Sequence, residues 1–295
     1  MARTTGVRQP SRIVTSADQT RAAVLDPLAN EIALVDVEAR RAFVVPTGET
    51  PIAALFAGHD LIVAARDAGR IERIEPDGRA TSLDSGVDPE LLAEAKGRIY
   101  VYSRLDGMLE EIDGATFTKR RRLQLLPFAS DLATDGESLY LIDPREAKLV
   151  VVSCSTMQRS GESDVGVVPL SIALDRSGNA LRASRLAIAD PAARRVWTLE
   201  GSETFRQAVA RGFVRGLVGL RLGGAHSSAF PTGIDRVIAA GSSTLAYDSS
   251  RGVLYDYSSG RAMRLAEGVR PDGFAVVGKK VAIWQQGTLR WIPLR

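Results

Sequence analysis

Cysteine is almost missing from this sequence. Cys154 stands alone among 295 residues, so no disulfide can form within the chain, and its setting in LVVVSCSTM reads as a strand with an inert buried thiol. Histidine is nearly as scarce: His59 and His226 have no cysteine or carboxylate spaced beside them as metal ligands would be. That scarcity argues against a histidine-based lyase or hydrolase and against a copper or iron centre. Tryptophan occurs only at Trp197, Trp284 and Trp291, without the recurrence that quinone-docking blades would need. No apolar run reaches the roughly 18 uncharged residues of a membrane-spanning helix. The amino terminus, MARTTGVRQPSRIV, lacks the apolar centre of a secretory signal, so we expect a cytoplasmic protein or one exported after leader removal. Charge of one sign is lacking too. With 38 Lys and Arg against 35 Asp and Glu, the net charge of +3 predicts no nucleic-acid partner, which requires a clustered basic face. The basic run Lys119 to Arg122 reads as the solvated edge of an outer strand. No phosphate-cradling glycine loop and no G-x-S-x-G turn appears in a suitable context. Abundant Ala and Arg suggest a bacterial source by composition alone.

What is present is a repeat. Proline leads similar apolar segments at Pro10, Pro51, Pro89, Pro127, Pro169, Pro231 and Pro271, at intervals of 41, 38, 38, 42, 62 and 40 residues. Each segment is followed by two short apolar runs joined by a turn, as in LIVAARDAGRIERIEP, RIYVYSRLDGMLEEID and SLYLIDPREAKLVVVS. Alternating apolar residues, with Asp, Gly and Pro at the joints, are strand and hairpin signals. A further run leads to the next proline, giving four strands per repeat. Repeats of this size bury both faces of a small sheet by radial stacking, which predicts an all-β, seven-bladed β-propeller of four-stranded blades forming a single domain over 1–295. The chain ends after a third strand, so Thr4 to Val7 is expected to close the ring as the missing fourth.

The proline-led inner strands, the Asp or Asp-Pro turns (Asp26-Pro27, Asp143-Pro144, Asp190-Pro191, Asp248) and runs such as LYLIDPREAKLVVV resemble the NHL and YVTN class of propeller repeats. The resemblance covers nearly the whole chain and implies architecture. The Asp residues themselves read as turn caps, accepting hydrogen bonds from their own hairpins.

The long interval, between Pro169 and Pro231, places an insertion at 202–229 in blade five, containing FRQAVARGFVRGLVGLRLGG. As a helix, this stretch would align Val209, Phe213, Leu217 and Leu220 on one face, with Arg211 and Arg215 on another. Its interior glycines cost about 1 kcal/mol each relative to alanine, so such a helix requires a packing partner. Three surfaces could supply one: the propeller itself, a protein partner, or an anionic membrane on which 205–222 would lie. Arg206, Arg211, Arg215 and Arg221 argue against spanning the bilayer.

Propellers present ligands where the loops entering their inner strands converge, which nominates Arg12, Ser130, Ser171 and Thr232 as channel-mouth residues. Glu90, Asp131, Asp235 and Asp272 fall in the same loops and could together hold a hard cation such as Ca²⁺. The resemblance extends to propellers with lactonase-type activity that use such an arrangement, implying a metal-dependent hydrolase as the enzymatic alternative. The leading expectation is a non-catalytic binding or scaffold propeller, with no cofactor, that engages a protein through the insertion and the channel-mouth loops.

Overall fold

A computed structural model describes residues 12–294 except 19, 40, 176–184, 193–194, 201–225, 230–233, 241–242, 257–262, 270–273, 278–279 and 286–287. It divides into two compact units, Met1–Pro127 with Val269–Pro293, and Phe128–Gly268. Both consist of antiparallel sheets in which consecutive strands are neighbours.

In the first unit, one sheet contains β1 (Arg12–Thr15), β2 (Arg21–Asp26), β3 (Glu31–Asp36) and β4 (Arg41–Pro46). The next contains β5 (Pro51–Ala57), β6 (Asp60–Ala65), β7 (Arg70–Ile74) and β8 (Ala80–Asp84). A third contains β9 (Pro89–Ala95), β10 (Arg98–Ser103), β11 (Met108–Asp113) and β12 (Thr118–Gln124). The second unit builds one sheet from β13 (Asp131–Thr134), β14 (Ser138–Asp143), β15 (Lys148–Ser153) and β16 (Gln158–Asp164). Its second sheet has β17 (Ser171–Asp175), β18 (Arg185–Asp190), β19 (Arg195–Glu200) and β20 (His226–Ala229), and its third has β21 (Arg236–Ala240), β22 (Ser243–Asp248), β23 (Val253–Asp256) and β24 (Met263–Ala266). The chain then returns to the first unit as β25 (Phe274–Val277), β26 (Lys280–Gln285) and β27 (Thr288–Pro293).

The middle strands look continuously apolar because both of their faces are covered. Along β2, Ala23 and Leu25 pack with Ile32, Leu34, Leu61 and Val63 toward the second sheet, while Ala22 and Val24 pack with Ile13 and Ala275 on the other side. A side-chain period of two thus gives each blade two apolar faces. Ile62, Ala64 and Ile71 meet Ile99, Val101 and Ile112 of the next blade in the same way, as do Tyr140 and Ile142 with Ile172 and Ile188 in the second unit. The fourth strands β8 and β12 are mostly exposed, as edge strands rich in charge should be. Lys119, Arg120 and Arg121 lie on β12 as expected, and they are held by Glu110, Asp113 and Glu111 of β11.

The all-β propeller of four-stranded blades is therefore present, but the expectation of seven such blades with a helical insertion is corrected. Among the described residues there are six four-stranded sheets, the last sheet has three strands, and no segment is helical. Part of the predicted insertion is instead the strand β20, which pairs Thr198 with His226 and Arg195 with Ala229. An unpaired edge on β19 needs a fourth strand, and that backbone requirement draws the chain back into the sheet. Thr4 to Val7, expected to close the ring, and Val209, Arg211, Phe213, Arg215, Leu217 and Leu220, expected on a helix, lie outside the described residues.

Two kinds of turn divide the ends of every blade. The end where first strands begin also carries the second-to-third-strand turns and the connections between blades; we call it the entry end. Turns 27–30, 66–69, 104–107, 144–147 and 249–252 all finish in the left-handed region, at Asn30, Gly69, Gly107, Ala147 and Gly252. Asp26, Asp143 and Asp248 cap their own turns by accepting from Ala29, Arg145 and Arg251 N–H groups. Asp190 also accepts from Val167 and Val168 in the connection from the preceding blade.

Candidate binding surface

The channel-mouth residues that are described do lie at the entry end, but their polar groups are engaged with protein. Asp131 accepts from Ser171 Oγ at 2.8 Å, from Ile172 N at 2.9 Å and from Leu132 N at 2.9 Å. Ser171 Oγ in turn accepts from Val237 N at 3.2 Å, so one polar chain ties together three inner strands of the second unit. Burial pushes the Asp131 pKa up, against the lowering effect of those hydrogen bonds and of Arg236. Asp235 is also raised by burial, and it accepts from the Ser249 hydroxyl and N–H. Ser130 N–H donates to Ile142 carbonyl, and Arg12 reaches Ile52 carbonyl at 3.4 Å in the first unit. Glu90 pairs with Arg104 at 3.3 Å. Thr232 and Asp272 lie outside the described residues. Among the described residues no group of three or more His, Cys, Asp or Glu gathers as metal ligands. Asp131 Oδ2 thus accepts from Ser171 and Ile172, and Oδ1 from Leu132.

A different feature of the entry end was overlooked by the sequence reading. Leu28 is 75% exposed, Val87 70%, Leu105 54% and Leu126 44% in the first unit, with Val167 at 55% in the second. All five sit in entry-end turns or connections. Val168, beside Val167, is also exposed, and the remaining large exposed apolar residues among those described, Phe43, Val44, Met263 and Trp291, belong to strands β4, β24 and β27 instead.

Val87, Leu105 and Leu126 occupy three loops that lie side by side. Arg104 N–H donates to Asp88 carbonyl at 2.9 Å, and a Cβ on Gly86 would meet Ser103 Oγ at 2.2 Å and Asp106 at 3.3 Å. The connection around Val87 is thereby laid along the turn that carries Leu105. Gly107, at φ 69°, lies against the following connection so closely that a Cβ there would meet Leu125 carbonyl oxygen at 2.5 Å. Leu125 N–H donates to Gly107 carbonyl, and the buried Tyr102 donates its hydroxyl to Leu126 carbonyl at 2.6 Å. The backbones of these loops are hydrogen-bonded to one another while three apolar side chains are exposed to water. A signal for this was present in the sequence: an apolar residue inside a hairpin turn, as in SRLDGM, has no strand position in which to be buried.

Charge around these loops is unequal. Arg66 pairs with Asp67 at 3.0 Å and Asp88 at 3.6 Å, Arg70 with Glu72 at 3.0 Å, and Arg104 with Glu90. The pKa of Asp67 is lowered by the Thr50 hydroxyl first and Arg66 second. Glu49 and Asp106 in these loops, and Asp84 at the end of β8, form no ion pair among the described residues. The two histidines are elsewhere. His59 is exposed in the β5–β6 turn at the opposite end, and His226 opens β20, the outermost strand of its sheet.

No protein-family model matches the chain, and no curated protein matches it. Solved structures do share the fold. Virginiamycin B lyase from Staphylococcus aureus superposes with a TM-score of 0.73 at 12% identity, covering 99% of this chain and 94% of that one. A catalytically inactive histidine-to-alanine form of the same enzyme with quinupristin gives 0.74 at 13%, covering 97% and 94%. A chain of the mitotic checkpoint complex gives 0.72 at 11% identity, covering 97% and 87%. At these identities the likeness establishes a shared β-propeller fold.

Proposed function

We propose that this chain is a non-catalytic protein-binding propeller whose partner docks on the entry-end loops. The observation that carries the reading is the exposure of Val87, Leu105 and Leu126 in three neighbouring loops, of which the turn at 104–107 is bonded to the connections on either side of it. Contiguous apolar surface left on a folded domain marks an interaction site more often than scattered single residues do. In this reading the protein needs no metal or organic cofactor. The polar groups that could have formed a catalytic centre serve instead as struts, as Asp131 and Ser171 do between inner strands. The lyases share the fold alone with this chain, and His59 and β20 both lie away from the entry-end loops proposed here as the docking surface. The checkpoint-complex chain is a propeller found within a protein assembly, which favours the binding reading by analogy.

The test is a footprint. With the partner isolated from the source organism, hydrogen exchange should slow at 84–89, 103–108 and 124–127 on binding, and stay unchanged in the turns at 58–59 and 75–79. Protection confined to the latter turns would overturn the reading.

A further inference from the structure

The chemistry of that surface points to one kind of occupant. We infer, resting on the binding reading above, that the entry end of the first unit takes a basic protein segment carrying large apolar side chains between Lys or Arg residues. The exposed Val87, Leu105 and Leu126 side chains need complementary apolar side chains to leave water. Arg66, Arg70 and Arg104 are matched by Asp67, Asp88, Glu72 and Glu90, which leaves Glu49, Asp84 and Asp106 as acids without a cation among the described residues. Asp84 and Asp106 flank these side chains in sequence, three residues before Val87 and one after Leu105. Gly86 brings those two loops into contact. A partner Lys or Arg meeting them gains attraction without displacing an existing pair, whereas an acidic segment would add repulsion.

The opposite end of the same blades lacks the apolar half of this combination, although Asp36, Glu38 and Asp77 there likewise form no ion pair among the described residues. There Arg79 pairs with Glu75, Arg120 with Asp113 at 2.8 Å and Arg73 with Asp60 at 3.9 Å. None of the large exposed apolar residues among those described in the first unit is in its turns.

Two labelled peptides with identical Leu and Phe positions, one bearing Arg and the other Glu, serve as probes against the full chain, read by fluorescence anisotropy. The Arg peptide should bind at least about tenfold more tightly, a ratio equivalent to about 1.4 kcal/mol, and the advantage should shrink as salt is raised. Glu49→Lys with Asp84→Lys should erase the preference at unchanged melting temperature, because both side chains are exposed. Val87→Asp with Leu105→Asp should weaken both peptides. Equal affinities, or a preference untouched by the two lysine substitutions, would overturn the inference. The binding reading would still stand if the Val87 and Leu105 variant nevertheless lost the native partner. Retention of both peptides and partner by that variant would remove the two together.

Discussion

The two ends of the first unit's blades are made by the same strands, yet they treat side chains in opposite ways. At the opposite end, turns spend their charges internally: Asp113 accepts from Ala115 and Thr116 and pairs with Arg120, and Asp18 accepts from Ser16 and Thr20. Hydrogen bonds hold the pKa of each of these carboxylates down at about 2. At the entry end, turns are just as well bonded through their backbones, but they expose Leu28, Val87, Leu105 and Leu126. Forming a blade therefore requires the backbone of an entry turn and does not require its apolar side chains. A requirement that folding does not impose is better attributed to binding.

Glycine substitutions should sharpen the comparison most. Gly107 at the entry end and Gly97 at the opposite end both adopt positive φ, 69° and 73°, so alanine is strained at either. Space differs: a Cβ on Gly107 meets backbone at 2.5 Å, while one on Gly97 meets nothing within 4 Å. Gly97→Ala should cost about 1–2 kcal/mol from conformation alone, whereas Gly107→Ala adds a clash with the Leu125–Pro127 connection and should cost more. Denaturant melts giving equal losses would show that the entry connection yields freely, contrary to the tight layering described above.

A smaller effect is expected at Asp190, which holds the connection bearing Val167 and Val168. Asp190→Ala leaves two N–H groups without their acceptor, at about 1–3 kcal/mol, and should speed hydrogen exchange at 167 and 168 before the rest of the second unit. Uniform exchange would mean that the connection is held by other contacts.

The smallest effect concerns pH. Asp113 is lowered in the folded protein from 3.8 to about 2, so its contribution is present above the unfolded value and lost as pH falls toward about 2. Asp131 is raised by burial, so its contribution is present below 3.8 and lost as pH rises through its folded pKa. Asp113→Asn should therefore flatten the acid limb of the melting curve, and Asp131→Asn should flatten the slope above it. The same change of slope in both variants would contradict the opposite signs assigned to them.

Much of the blade architecture was legible because it follows from a short rule. Proline starts at Pro51 and Pro89, two-faced strands such as RAAVLD, and turn-capping Asp26 and Asp143 each encode local structure directly. Blade five was harder to read, because a basic, glycine-bearing stretch of helical periodicity competes with the need of β19 for a fourth strand, which His226–Ala229 supplies. The leading binding expectation falls on the 205–222 stretch, and Asp131 and Asp235 enter only through the alternative cation site. Their carboxylates serve inter-strand and turn bonding, a use that depends on which donors the fold brings near and leaves no mark in the sequence. Val87 and Leu105 drew no notice because an apolar residue in a turn gains meaning only when its neighbours' exposure is known.

The most direct test of the central claim is the partner affinity of the full chain carrying Val87→Asp and Leu105→Asp, beside Glu38→Lys at the opposite end as a control. The account predicts at least a roughly tenfold loss for the entry-end pair, none for Glu38→Lys, and unchanged melting temperatures for both. Unchanged affinity in the entry-end variant, with its fold intact, would contradict it.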